Sequence, residues 1–547
     1  MLLAQQFVCN VVAGARVPTL VRALTARQGG WTAATILAVA YVLTLASLSP
    51  LALQDYPVHL QNAITMADLI FHSGERFGGM FSYHFLFVPY LLGDFASAGL
   101  IEVMGQRAGS AVWISIVALS LPLALVFFMR ATGIAAERRS LVFILGLYLA
   151  TDWFFLMGFL SFRLGVALTI MNLALAIGLR KEWSTRAYLG YTALVTVGYL
   201  VHLTTIAFLS PALGVSGLLR LQRRTSNLRT EALLAAPLAA LWAWHLSVGG
   251  YTLADDPEES PYTWGGLSTK IRSLDFEFVR YHTRWDLAMM AGLAACLLLS
   301  VGRVRLPHLR DFAVLKMLVL VVTFVAIYMV LPMGYSEAWY VDVRALALAS
   351  VCLVLALASL PAGTVWARVP CSALALALAA ILVAMNLVYL ERHLSRSGAW
   401  LREYRAVVTA IPVGAHVFPI STQPGEGNIA PNRHADAFVT IDREGLTPFA
   451  FTADNAGPEK YLRYVQRPYA PDQRWYLRHA WESVDWQSVA RDYDYVLIEK
   501  PFEGARIGLP TELVAENRTA ALLAINKTKN RAATGSSSDP RYRQNVR

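Results

Sequence analysis

The sequence predicts an α-helical polytopic membrane protein with a C-terminal α/β domain. Of its 547 residues, 56% are hydrophobic and only 15% are charged, a composition typical of chains that cross a bilayer many times. After about residue 392 the apolar runs stop and mixed helix and strand patterning begins. The net charge of +10 does not indicate a nucleic-acid partner, because the basic residues lie between apolar runs, where they set membrane topology.

The apolar runs predict about eleven transmembrane helices. The run at about 187–219 is too long for one pass and has basic residues at both ends, so we divide it into two short helices that meet near His202. The region at about 83–105 is interrupted by Pro89 and Asp94, among others, and we interpret it as helices lying at the outer surface. The spans are expected at about 31–53, 110–129, 139–158, 161–180, two within 187–219, 231–249, 284–302, 312–332, 340–361 and 371–391.

The charged flanks predict the orientation of the chain. Arg16, Arg22 and Arg27 precede the first apolar run, so the N-terminus is expected in the cytoplasm, and this run is interpreted as an uncleaved anchor. An odd number of spans then puts the C-terminus outside, together with the loop 54–109. The expected domains are a transmembrane domain at 1–391, a soluble periplasmic α/β domain at 392–533 and a disordered tail at 534–547.

The C-terminal domain shows no recognisable catalytic pattern. A helix is predicted at 401–410, and no GxGxxG nucleotide-binding fingerprint follows it. His434, Asp436 and Asp442 form no recognisable nucleophile or metal set, so we assign this domain to acceptor binding or packing. Strands are predicted at 416–420, 493–498 and 520–525.

Two ionisable residues directly after the first span are the strongest functional candidates. Asp55 emerges on the outer face, and His59 lies on the same helical face if Pro57 starts a helix. The alternatives are that Asp55 is only a helix N-cap and that His59 is an ordinary interfacial histidine. His72 and His84 are weaker candidates, since nothing in the sequence orders them relative to Asp55.

Three cations lie within or beside predicted spans: Arg163, His202 and Arg344. Buried cations are costly and face a polar cavity or a partner. Arg344 lies near the outer surface, and its alternative roles are an ion pair with Asp342 or snorkelling to the headgroups. Arg163 has an alternative ion pair with Asp152. Interface anchors are expected at Trp153, Trp339 and Tyr340.

This layout resembles the GT-C superfamily of membrane glycosyltransferases, which use polyprenyl-phosphate-linked sugars. The resemblance covers nearly the whole chain: an acid in a long first outer loop, surface helices in that loop, about eleven spans and a C-terminal outer domain. Asp55 occupies the place of the loop-one acid, residues 155–163 resemble a turn that joins two family helices, and 201–204 resemble a site where many members carry a basic residue. The Asp-x-Asp or Asp-Glu pattern of many members is replaced here by Asp55-Tyr56-Pro57.

The resemblance implies transfer of a sugar from a polyprenyl phosphate to an envelope glycan, lipid or protein, on the periplasmic face of a bacterial inner membrane. Such a reaction needs a base near the acceptor hydroxyl and positive charge around the departing phosphate. We expect Asp55 and His59 to be catalytic, and Arg344, His202 and Arg163 to bind the donor phosphate. No metal-ligand set is predicted, although a divalent Mg or Mn ion stays open. The alternatives are a Wzy-like polysaccharide polymerase or O-antigen ligase, and a transporter.

Overall fold

A computed structural model gives the structure of the protein. It describes residues 27–48, 51–134, 136–248, 262–275, 278–281, 283–301, 311–335, 338–360, 369–421, 429–449, 461–466, 468–470, 484–500 and 507–527. The described chain is mostly helical. The connections at 249–261 and 302–310 between predicted spans, and the predicted tail at 534–547, lie outside the described residues.

The helices are α1 Arg27–Ser47, α2 Tyr56–Phe71, α3 Leu91–Thr132, α4 Arg139–Ala150, α5 Trp153–Leu156, α6 Leu160–Lys181, α7 Thr185–Val201, α8 Thr204–Gln222, α9 Leu228–Ser247, α10 Leu267–Arg272, α11 Arg284–Val301, α12 Phe312–Val330, α13 Arg344–Ala358, α14 Val369–Val408, α15 Ala437–Arg443 and α16 Trp486–Asp492. A helix lies at each predicted span, including a break at His202 between α7 and α8. Within the described residues, six helices are long and apolar enough to cross a membrane: α1, α3, α6, α8, α12 and α14. The protein is therefore membrane-embedded, and the total of eleven spans stays a prediction.

Helix α3 consists of two arms that meet at Gly105. This residue has φ 78° and ψ 161°, which no helix contains. A Cβ atom on Gly109 would lie 2.6 Å from the carbonyl oxygen of Leu100, so the second arm folds back against the first. The first arm buries Asp94 and exposes 83% of Val103. The first arm therefore does not continue along the axis of the second, and its predicted position at the membrane surface stays a prediction.

The strands are β1 Phe81–Tyr83, β2 Tyr262–Thr263, β3 Gly334–Tyr335, β4 Ala338–Trp339, β5 Val417–Ile420, β6 Leu462–Tyr464, β7 Tyr495–Glu499, β8 Thr511–Glu516 and β9 Ala520–Ile525. The three strands predicted from the C-terminal sequence are present as β5, β7 and β9. Together with β8, they form a four-stranded sheet in the order β5-β7-β9-β8, in which β5 and β7 are parallel. Helix α16 supplies apolar residues to the same small core as β5 and β7.

The C-terminal region packs onto the segment that follows α1 and contains α2. Gln61 Nε2 in α2 donates to Thr440 Oγ1 in α15 at 3.0 Å, and the backbone N–H of Ala430 donates to Gln54 Oε1 at 2.8 Å. Strands β1 and β6 add a short antiparallel pair. These contacts join two parts of the chain that are far apart in sequence and place residues 429–443 directly over the start of α2.

Candidate functional site

The backbone around Asp55 is held by the turn between α4 and α6. The N–H groups of Gln54 and Asp55 donate to the carbonyl oxygens of Leu156 and Met157 at 3.1 and 3.0 Å. Gly158 completes this contact with a φ of +83°, and a Cβ atom there would lie 2.7 Å from the Tyr56 nitrogen. Only glycine fits this close approach without displacing the loop. The position of Asp55 is therefore set by two backbone hydrogen bonds and one glycine.

Asp55 occupies the N-cap position of α2, with Pro57 in the first turn, but its side chain makes no capping hydrogen bond. The predicted helix start is confirmed, whereas the alternative role of the carboxylate as a cap is not what the structure shows. Its side chain is only 12% exposed, and Oδ1 lies 3.5 Å from Nε2 of His434. The carboxylate is thus buried beside a histidine, and the local helix does not use it.

His59 is held by a second buried carboxylate. Its Nδ1 lies 3.5 Å from Oδ1 of Asp94, on the first arm of α3. Asp94 Oδ2 also accepts from Tyr461 Oη at 2.6 Å and from Asn62 Nδ2 at 3.3 Å. Burial lowers the pKa of His59, but the hydrogen bond to Asp94 and the charges of Asp94 and Asp55 raise it above its usual 6.5. His59 is therefore biased towards the charged form.

His202 and Arg344 face the same space from the membrane side. Nδ1 of His202 accepts from the Thr204 N–H at 3.1 Å, which leaves the ring proton of the neutral form on Nε2. Both Arg344 and His59 lie within electrostatic range of His202. Arg344 begins α13, and its guanidinium lies 5.2 Å from the Phe159 ring centroid. The structure thus gathers four predicted site residues: Asp55, His59, His202 and Arg344.

The alternative ion pair of Arg344 is not formed, because Asp342 is bound to another cation. Lys270 Nζ lies 2.5 Å from Asp342 Oδ2 and also donates to the carbonyl oxygen of Tyr328 at 2.9 Å. Both side chains are almost fully buried. Arg344 is consequently directed to the aromatic rings of the turn at 159–162 and to the histidine cluster, and Asp342 does not neutralise it.

The predicted interface role of Trp153 is wrong. Its side chain is 0% exposed and packs 4.8 Å from the ring of Tyr340. Tyr340 in turn lies within electrostatic range of Arg433 and Asp55. These two aromatic residues therefore line the candidate site. The side chain of Trp339 lies outside the described residues.

Arg163 is engaged in a structural ion pair. Its Nη1 lies 2.9 Å from Asp152 Oδ2, and its Nη2 donates to the Leu149 carbonyl oxygen at 2.6 Å. Asp152 caps α5 by accepting from the Phe155 N–H at 3.1 Å. Both side chains of the pair are buried. This is the ion pair that the sequence offered as the alternative, and it holds the turn that carries Gly158.

Sequence reasoning missed three residues of this cluster: Asp94, His434 and Tyr461. Asp94 had a usable signal, since it is an acid within an apolar run. His434 and Tyr461 had none, because their neighbours come from the other end of the chain. Among the described residues, no group of three or more His, Cys, Asp or Glu side chains is arranged to hold a metal ion. A divalent ion thus does not fit the donor set as it stands, and we derive no step from one.

The sequence matches no protein-family model and no curated protein. The structure does match solved ones. ArnT from Cupriavidus metallidurans in the apo state superposes with a TM-score of 0.51 at 12% identity, covering 91% of this chain and 98% of that one. The chain has the ArnT fold. The same ArnT bound to undecaprenyl phosphate gives a TM-score of 0.51 at 11% identity, covering 90% and 97% of the two chains.

The ArnT fold agrees with the expected arrangement of many membrane helices followed by a C-terminal region that contains a sheet. The match extends over nearly the whole length of both chains. Identity of about one residue in eight carries no assignment of individual side chains. The roles of the residues in this ArnT-like chain rest on their own geometry.

Proposed function

We propose that the protein is a membrane glycosyltransferase that moves a sugar from a polyprenyl phosphate to a hydroxyl group of a cell-envelope acceptor. The observation that carries this proposal is the buried Asp55 carboxylate at a helix start. The helix does not use it as a cap, and one histidine lies beside it and another four residues away. The ArnT fold supports it, since one ArnT structure is bound to undecaprenyl phosphate.

Asp55 acts as the general base. As the acceptor oxygen attacks the anomeric carbon, its proton passes to the Asp55 carboxylate, and the bond between that carbon and the donor phosphate oxygen breaks. The electron pair leaves on the phosphate. His434, whose Nε2 lies 3.5 Å from Oδ1 of Asp55, orients the carboxylate towards the acceptor.

The departing phosphate needs positive charge more than it needs a proton. Arg344 supplies a permanent charge at the start of α13, and His202 offers an Nε2–H donor from the turn between α7 and α8. His59, whose pKa the neighbouring Asp94 raises against the lowering effect of burial, completes the cationic side. We assign Arg163 to positioning the turn, because Asp152 and the Leu149 carbonyl engage it.

The acceptor enters from the side of the C-terminal region. Residues 429–443 lie over α2 and bring Arg433 and His434 to the site. We place this side in the periplasm of a bacterial inner membrane, with the N-terminus in the cytoplasm, as the positive charges predict. We rank a polymerase, a ligase and a transporter below the glycosyltransferase, because the ArnT structures share the fold over nearly the whole chain.

Transfer of radiolabelled sugar from polyprenyl-phosphate donors to envelope fractions tests the proposal. The purified wild type should transfer the sugar, and Asp55→Asn should lower the rate by about 10²- to 10⁴-fold, the usual contribution of a general base. The matched control is Glu102→Gln, a carboxylate on α3 whose partner His72 lies away from the site.

Equal rates in wild type and Asp55→Asn would remove Asp55 from the mechanism. A wild type that transfers sugar from no donor, but moves labelled lipid or glycan across proteoliposomes, would replace the enzyme with a transporter. Thermal melting of both variants should match the wild type, because the Asp55 side chain makes no capping bond.

A further inference from the structure

A second cluster of charged residues lies at the end of the helix bundle opposite to the candidate site. Helix α6 begins beside the site and ends at Arg180, while α8 begins beside His202 and ends near Arg220. At 1.5 Å per residue, each helix carries its last turn about 30 Å from its first. Lys316, in the second turn of α12, faces the same end of the bundle, within electrostatic range of both arginines.

The carboxylate of Glu231 in this cluster already forms an ion pair with Arg180. Arg180, whose side chain is 0% exposed, donates through Nε to Glu231 Oε1 at 2.9 Å and through Nη1 to Ser216 Oγ at 3.2 Å. Gly217 permits the approach of Glu231, since a Cβ atom there would lie 2.8 Å from Oε2. Arg180 and Glu231 thus neutralise each other within the bundle.

Two positive charges remain beside this pair. Lys316 is 4% exposed, and within the described part of the chain no carboxylate lies at ion-pairing distance from it or from Arg220. Nε of Arg220 is buried and makes no hydrogen bond there. The nearby acid Asp311 is exposed and caps α12 by accepting from the Ala313 N–H at 2.9 Å. A buried lysine and a half-buried arginine with no carboxylate at ion-pairing distance are costly in a membrane protein.

The helix dipoles explain only part of this arrangement. Arg180 and Arg220 lie in the last turns of their helices, where a positive charge is favourable. Lys316 lies near the beginning of α12, where it is unfavourable, and it is surrounded by like charges. Such a position becomes favourable when an anion lies between Lys316 and Arg220.

We propose that Arg220 and Lys316 bind the phosphate of an anionic phospholipid headgroup at this end of the bundle. The shared chemistry is that of a phosphate group. A lipid is favoured over a free phosphate because Arg220 lies at the end and Lys316 near the beginning of two helices that are apolar enough to cross a membrane. Cations at the ends of such helices lie at the depth of lipid headgroups.

The ring of Phe312 restricts the orientation of the Arg220 side chain. The guanidinium of Arg220 lies 5.5 Å from its ring centroid and that of Arg223 lies 4.7 Å from it. Stacking on one ring limits the orientations of both side chains. Arg223 is exposed and adds a third charge at the rim of the site.

Native mass spectrometry of the full chain with phosphatidylglycerol and phosphatidylcholine tests the proposal. The wild type should retain phosphatidylglycerol at least tenfold more tightly than phosphatidylcholine. Lys316→Met and Arg220→Gln should each weaken phosphatidylglycerol retention by about tenfold, as expected for the loss of one charge-assisted contact. The matched control is Arg130→Gln: Arg130 is exposed in the last turn of α3, whose Ala131 carbonyl accepts from Lys181 at the same end of the bundle.

Equal retention of the two lipids by the wild type would overturn the proposal, and so would an equal loss in Arg130→Gln. Inorganic phosphate alone is the second probe. If it raises the melting temperature of the lipid-free protein as much as phosphatidylglycerol does, the occupant is a soluble phosphate and the lipid assignment fails. The half-buried Arg220 keeps the test available if Lys316→Met does not fold.

Discussion

Asp55 and Asp152 each precede a helix and an aromatic residue, yet the structure uses them in opposite ways. Asp152 caps α5 with its carboxylate and pairs with the buried Arg163. Asp55 stands at the same position before α2, but its carboxylate makes no cap and lies beside His434. The local sequence does not distinguish the two. What distinguishes them is what the rest of the chain places next to each carboxylate.

The comparison indicates that a candidate catalytic acid is one whose carboxylate neither caps a helix nor forms a structural ion pair. The Asp152 carboxylate accepts a backbone hydrogen bond at the start of α5 and pairs with Arg163, so its removal should destabilise the fold. The Asp55 carboxylate makes no such hydrogen bond at the start of α2, so its removal should leave the fold intact. The turn that Asp152 holds is also the turn that positions Asp55, through the carbonyl oxygens of Leu156 and Met157.

The strongest test of this comparison is Asp152→Ala. Removing one partner of a buried ion pair leaves the other charge uncompensated, which costs about 3–5 kcal/mol. We therefore expect a markedly lower melting temperature in detergent, whereas Asp55→Asn melts like the wild type. The double variant Asp152→Asn with Arg163→Met removes both charges and should recover part of the loss. An Asp152→Ala protein as stable as the wild type would remove the distinction between the two acids.

The second test concerns the cations. Arg344→Gln should raise the KM for the polyprenyl-phosphate donor by about 10- to 100-fold, the usual value of a hydrogen bond to a charged group. Steady-state rates at varied donor concentration measure it. Arg163→Gln should instead lower stability and leave the donor KM of the folded fraction unchanged, because Asp152 engages its guanidinium. If the substitution of Arg163 raises the donor KM and the substitution of Arg344 does not, then Arg163 binds the donor and Arg344 does not.

The third test uses pH. Asp94 is the main cause that raises the pKa of His59 against the lowering effect of burial. A raised pKa means that the charged form persists above pH 6.5 and is lost as the pH rises through the folded-state value. Asp94→Asn should therefore move the alkaline limb of the kcat/KM profile to lower pH, while its amide still accepts from Tyr461.

Glu102→Gln is the control for this shift. Glu102 raises the pKa of the exposed His72 in the same manner, so its removal alters one histidine titration outside the site. The limb should then stay in place. If the alkaline limb moves equally in both variants, or in neither, then the rate does not depend on the charge of His59.

Features that depend on neighbouring residues could be predicted from the sequence, and contacts between distant parts of the chain could not. Helix positions and the break at His202 depend on local hydropathy and charge, and they could be predicted. The ion pair of Arg163 with Asp152 could be anticipated, since only a tight turn separates the residues. His434 could not be linked to Asp55, because no local pattern records a contact between the first outer loop and the C-terminal region. Trp153 was placed at the interface because hydropathy does not tell a site-lining aromatic residue from a lipid-facing one.

The packing of residues 429–443 over α2 has a consequence for biogenesis. The chain is synthesised from its N-terminus, so Asp55 and α2 are complete while the residues that will surround the carboxylate are not yet synthesised. His434 and Tyr461 arrive only after the last helix of the bundle. A nascent or truncated chain that ends before residue 429 therefore holds Asp55 and Arg344 without the histidine that lies beside the carboxylate. The cluster around Asp55 is complete only when nearly the whole chain has been synthesised, which couples formation of the candidate site to the completion of synthesis.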